Sequence, residues 1–164
     1  MTAICAHAKL TERYFYESFT SRDEVLQKVL DGIADEVREA GLDALRAGGG
    51  TLEQRVRNAI ASFVTILTDD PRKGRVAMIE SAAFEPLRTH RRAALRGFAQ
   101  MVADEATRMY GDRAWPPHQG EINGLLFVGG LAELVTAWLN DEIAITPDEI
   151  VDAATYQFTS TAHR

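Results

Sequence analysis

The side chains able to bind a metal or act as nucleophiles are dispersed. His7, His90, His118 and His163 lie far apart along the chain, without the spacing of a metal site. Cys5 and His7 stand two residues apart, where helical side chains do not share a face. A single cysteine leaves no internal disulfide or thiolate cluster. No phosphate-cradling glycine motif and no nucleophile elbow occurs. The pattern predicts neither an enzyme nor a metal or other cofactor. Chemistry-bearing residues concentrate in one place, "AKLTERYFYESFTSRDEVL", where the rings of Tyr14, Phe15, Tyr16 and Phe19 stand among Lys9, Thr11, Arg13 and Arg22. Taken singly, the tyrosines read as packing rings and Arg22 as a solvated charge at a helix start.

The 164 residues, 46% of them apolar, suffice for one domain with a real core, or for a small module fused to a larger one. A net charge of −6 argues against coating a nucleic acid by electrostatics alone. It leaves room for a local reading surface, because residues 1–28 balance Lys9, Arg13, Arg22 and Lys28 against Glu12, Glu17, Asp23 and Glu24. The acidity belongs to the rest of the chain. No run approaches 18 consecutive apolar residues and no basic-then-apolar leader opens the sequence, so the expected location is cytoplasmic, with no membrane partner.

Apolar spacing predicts an all-α fold. Leu26, Val29, Leu30, Ile33 and Val37 recur at helical intervals behind a Ser21/Glu24 capping signature, and the helix should run to the Gly48-Gly49-Gly50 break. Thr51 and Gln54 open a second helix carrying Val56, Ile60, Phe63, Val64 and Leu67, ended by Asp70-Pro71. A short segment with Val76 and Ile79 follows, then a long helix from Leu87 to Tyr110, stopped by Gly111. Residues 121–139 are apolar on nearly every face, which predicts a helix buried all round, with Gly124, Gly129 and Gly130 allowing close backbone approach. Thr146, Pro147 and Glu149 start a last helix reaching toward Thr161.

In this frame the N-terminal cluster becomes two short helices joined by a tight turn, residues 2–7 and about 11–18, the layout of a helix-turn-helix. Ile4, Ala8, Leu10, Phe15 and Phe19 should face inward; Thr11, Glu12, Arg13, Tyr14, Tyr16 and Ser18 outward. The stretch "IcahAkLTeRyfYesFtSRdeVL" resembles the signature of the TetR family of bacterial transcriptional repressors, with Ile4, Ala8, Leu10, Thr11, Phe15, Tyr16, Phe19, Arg22 and Leu26 in one unbroken register. The likeness is sharp at the front and architectural behind. Two departures stand out: Lys9 replaces the turn glycine, and the family's first helix, usually preceded by a basic arm, is missing ahead of Met1. A mis-assigned start or a shortened protein would both account for the second.

The resemblance implies a truncated helix-turn-helix with its connecting helix at 1–46 and a ligand-binding and dimerisation domain at 47–164. It implies a homodimer on a palindromic double-stranded DNA operator, with Arg13 and Tyr14 at base edges and Thr11, Tyr16, Arg22 and Lys9 near phosphates. A small apolar or amphipathic effector would lie among Phe63, Ile66, Met78, Phe98, Met101 and Phe127, although each of these also suits plain core. The last two helices would pair with a second copy through Leu131, Leu134, Val135, Trp138, Val151, Ala154 and Phe158. Arg88, Arg92 and Arg96, with Arg91 beside them, read as a solvated face that an anionic ligand group could also use. The competing expectation is a ligand-binding or dimerising module without DNA binding of its own.

Overall fold

Capping side chains open four of the helices in the computed structural model, which describes residues 2–9, 11–47 and 49–163. Two short helices, α1 (Thr2–Ala8) and α2 (Glu12–Ser18), precede α3 (Arg22–Arg46). At the start of α3 the Ser21 hydroxyl accepts the Glu24 N–H at 3.1 Å. The Glu24 carboxylate turns back to Thr20, accepting from its hydroxyl at 2.6 Å and its N–H at 2.7 Å. These two bonds, the hydroxyl's first, hold the Glu24 carboxyl below its ordinary range. After Gly49 and Gly50, both at positive φ, Thr51 caps α4 (Leu52–Asp69) by accepting the Gln54 N–H. Asp70 then accepts the Arg72 N–H to open α5 (Pro71–Gly74).

From Pro71 to Ala83 the backbone is helical throughout but changes gauge. A π-helical segment, Arg75–Glu80, joins α5 to α6 (Ser81–Ala83). Buried Ser81 donates its hydroxyl to the Ala77 carbonyl within this widened turn. α7 (Glu85–Tyr110) ends at Gly111, whose φ of 57° suits glycine, and α8 (Pro117–Leu139) follows. α9 (Pro147–Thr161) begins with a complete capping box between Thr146 and Glu149.

Packing closes five of these helices into a ring, each touching the next in the order α3, α4, α9, α8, α7 and back to α3. Leu67, Leu87, Val135 and Ile150 are fully buried at its centre, and Arg57 ties α4 to α9 through Asp152 at 2.8 Å. α3 and α7 run parallel, since Gln27 lies against the Pro86 carbonyl near their starts and the Arg38 guanidinium covers the Phe98 ring, 5.3 Å from its centroid, further along. Among the described residues no strand forms, and the chain is all-α.

The structure corrects the expectation for residues 121–139. Only one side of α8 is buried, at Gly120, Gly124, Phe127, Ala132 and Val135, while Ile122, Leu125 and Leu126 face out. The glycines divide accordingly. A Cβ on Gly124 would strike the Ala99 backbone of α7, whereas Gly129 and Gly130 have open space. Leu30, Ile33 and Val37 of the connecting helix α3 belong to the main core.

Gly124→Ala should therefore cost about 1–3 kcal/mol through overpacking against α7. Gly97→Ala, on an exposed stretch of α7 with nothing near its Cβ, should add up to about 1 kcal/mol of helix propensity. Urea unfolding of the two variants beside the parent checks both signs.

Candidate functional site

Lys9 holds a left-handed backbone, φ 55°, in the turn between α1 and α2, and its N–H bonds to the Ala6 carbonyl at 3.2 Å. The turn has not relaxed to suit a side chain; the lysine occupies the glycine-like conformation. Thr11 stands at the N-cap of α2 in extended conformation, but its hydroxyl makes no capping bond. Phe15 is buried and packs on Phe19 at 5.5 Å and edge-on against Tyr16 at 5.3 Å. Tyr14 and Tyr16 remain 58% and 59% exposed, so both rings stay largely in solvent. Arg13 is exposed and bonds Glu17 one turn on at 2.8 Å, and Arg22 is exposed at the first position of α3. Thr11, Arg13, Tyr14, Tyr16 and Arg22 are thus all solvent-facing, beside exposed Lys9.

The inward set is smaller than the spacing suggested. Phe15 is covered and Phe19 half-covered, but Ile4 is 41% exposed and Ala8 is exposed, while Cys5 takes the buried place on α1. The reason is geometric: α1 lies against α2, leaving the side of α1 that carries Ile4 uncovered. Leu10 falls outside the described residues.

Inside the helical ring lies an apolar cavity of about 150 Å³. Phe63, Met78, Phe98, Met101 and Phe127 line it. Ile66 does not, because the wall of α4 runs through Val56, Ala59, Ile60, Phe63 and Leu67, one step of helical rotation away. α3 contributes Leu30, Ile33, Ala34, Val37, Gly41 and Leu45. The π-helical segment supplies Ala77 and Met78, so the wall includes the one place where the 71–83 helix departs from α geometry.

Of the residues expected to meet a second copy, Val135, Val151, Ala154 and Phe158 are buried within the chain and form its core. They close the ring against α4 and α7, which removes them from any surface. Leu131, Leu134 and Trp138 are half-buried against that core. The outward apolar face instead carries Ile122, Leu125 and Leu126 on α8, beside open Gly129 and Gly130, and Tyr156 on α9. Periodicity missed this division because α8 has apolar residues on both sides.

Two further residues emerge only in three dimensions. Gly41 is buried on the cavity wall with nothing within reach of an added Cβ. Arg91 lines the cavity while Arg88, Arg92 and Arg96 stay exposed, Arg88 beside Glu85. The helical interval between Arg91, Ala94, Leu95 and Phe98 was the available signal for the second. Among the described residues no group of acids, histidines and cysteine converges as a metal site.

The strained turn makes a local prediction. Lys9→Gly relieves about 1–2 kcal/mol of left-handed cost and returns up to about 1 kcal/mol in unfolded-chain freedom. Amide exchange in residues 2–18 should slow by about two- to fivefold with little change in the five-helix ring.

No family model matches the chain, and no curated protein is detectably similar to it.

Proposed function

We propose that this protein is a ligand-responsive, dimeric DNA-binding regulator of the TetR type, acting as a repressor. The observation that carries the reading is the linkage through α3. Its first residue, Arg22, follows α2 after the three residues 19–21, and its middle, from Leu30 to Leu45, forms one wall of the apolar cavity. An α2 that keeps Thr11, Arg13, Tyr14 and Tyr16 in solvent has the inventory for groove contacts: a guanidinium for base edges, hydroxyls and cations for phosphates.

The mechanism follows from rigidity. α3 has 25 residues and so spans about 37 Å, and a ligand lodged between α3 and α7 changes where that rod rests. Displacing its midpoint swings Arg22, from which the chain leads back through residues 19–21 to the two short helices. In a twofold dimer the two heads must match half-sites about one helical turn of DNA apart, near 34 Å, so a small rotation of each α3 spoils the fit. The ligand shifts the balance only by the difference in its affinity for the two positions of α3.

The second copy would sit on the outward apolar face of α8, around Leu126, which is 67% exposed. Gly129 and Gly130, open within the chain, would let a partner helix approach closely. α8 is also long and apolar enough to cross a membrane by length and composition alone. Its Gly124 and Phe127 side is packed within the helical ring, which supports a partner helix as the occupant of the other side. The exposure of Ile4 and Ala8 favours one alternative, a ligand-binding and dimerising module without DNA binding of its own.

Two measurements test this. Fluorescence anisotropy with duplex DNA from the gene's own neighbourhood should show binding to one site that weakens steeply with salt. Arg22→Ala should lower the slope of log K against log [salt] by about 1, while Arg13→Ala should cost about 1–3 kcal/mol at one base position. A folded protein that binds no such duplex at low salt supports the module instead. Sedimentation should show a dimer for the parent chain and a monomer for Leu126→Glu with unchanged helical content; a monomeric parent overturns the dimer.

A further inference from the structure

We infer that the cavity takes a small amphipathic carboxylate, its apolar tail lying along α7 and its carboxylate on Arg91. The inference deepens the reading of the cavity as an effector site and rests on it.

The wall is apolar almost throughout, and among the described residues Arg91 and Glu105 are its only charged members. Both belong to α7, 14 positions apart, which places them about 21 Å from each other along the helix. They therefore mark different ends of an elongated slot. Glu105 is already satisfied, with Arg108 one turn on as its partner. Arg91 is half-buried and has no ion-pair partner among the described residues. One end of the slot thus offers an unused guanidinium with a fork of donors suited to a carboxylate. The other offers no free charge.

Between the ends, α7 presents Ala94, Leu95, Phe98, Met101 and Val102, facing Leu30, Ile33, Val37 and Gly41 of α3. No hydroxyl or amide side chain interrupts this length, so a polar group in mid-molecule would lose its water without gaining a partner. The size limits the tail. An apolar cavity of about 150 Å³ accommodates a molecule the size of benzene, which points to a tail of roughly six to ten non-hydrogen atoms rather than a long acyl chain. Charge at one end and apolar matter elsewhere define the ligand class: a short alkyl or aryl-alkyl carboxylate.

Calorimetric titration of the full chain, without DNA, with octanoate, 1-octanol and octylamine compares one tail under three head groups. Octanoate should bind about tenfold or more tightly than either other compound, the usual worth of a hydrogen bond to a charged group. Arg91→Met should remove that preference while leaving octanol binding in place. Gly41→Leu, which places a side chain in the empty space above the α3 wall, should abolish binding of all three with thermal stability retained or raised. Equal affinity for octanoate and octanol, a preference that survives Arg91→Met, or no binding by any of the three overturns the proposal. DNA affinity is read separately. Octanoate that binds through Arg91 yet leaves DNA affinity unchanged overturns the effector reading and leaves the carboxylate site standing.

Discussion

The fold depends on α3 serving two structures at once. Its N-terminal turn, three residues after α2, is held by the reciprocal bonds among Thr20, Ser21 and Glu24. From Leu30 onward the same helix is core. A helix shared in this way cannot bend freely, because its backbone bonds and its burial in the ring both resist it. Motion at one end is then transmitted to the other.

The rest of the architecture keeps α3 aimed while leaving space beside it. Four partner helices complete the ring, and Leu67, Leu87, Val135 and Ile150 are fully buried within it. The cavity survives because small residues, Ala34, Gly41, Ala59 and Ala94, stand where larger ones would fill it. Gly41 is the clearest instance, since a glycine inside a helix costs about 1 kcal/mol relative to alanine and no neighbouring atom here demands it. Its absent side chain creates room on the wall between the two parallel helices. Stability has been given up at a place where volume is the return.

Much of the fold was legible because its punctuation is local. Ser21, Thr51, Asp70 and Thr146 cap helices as their spacing implied, and Gly111 ends α7 as a glycine can. The exposed set on α2 was legible for the same reason: a seven-residue helix with Phe15 turned inward leaves its tyrosines outside. What failed depended on neighbours. Spacing turns Ile4 and Ala8 inward, but burial needs a surface opposite, and α1 has α2 alone in substantial contact. Ile66 and Leu67 are adjacent in sequence and equally apolar, and only the packing of α4 decides that Leu67 faces the cavity.

α8 shows the limit most clearly. A stripe can be located only where a polar face contrasts with it, and between Gly120 and Trp138 the polar interruptions are few. Val135 and Leu126 are indistinguishable by composition, yet one is core and the other is exposed. Glycine resolves the ambiguity in retrospect. Gly124 faces the Ala99 backbone with no space for a methyl group, fixing the inner side of the helix, and Gly129 and Gly130 have space that nothing in the chain fills. The same residue type thus has opposite causes on one helix. At Gly124 the requirement lies within the fold; at Gly129 and Gly130 the cost in helix propensity has no internal return, and a helix approaching from outside would supply one.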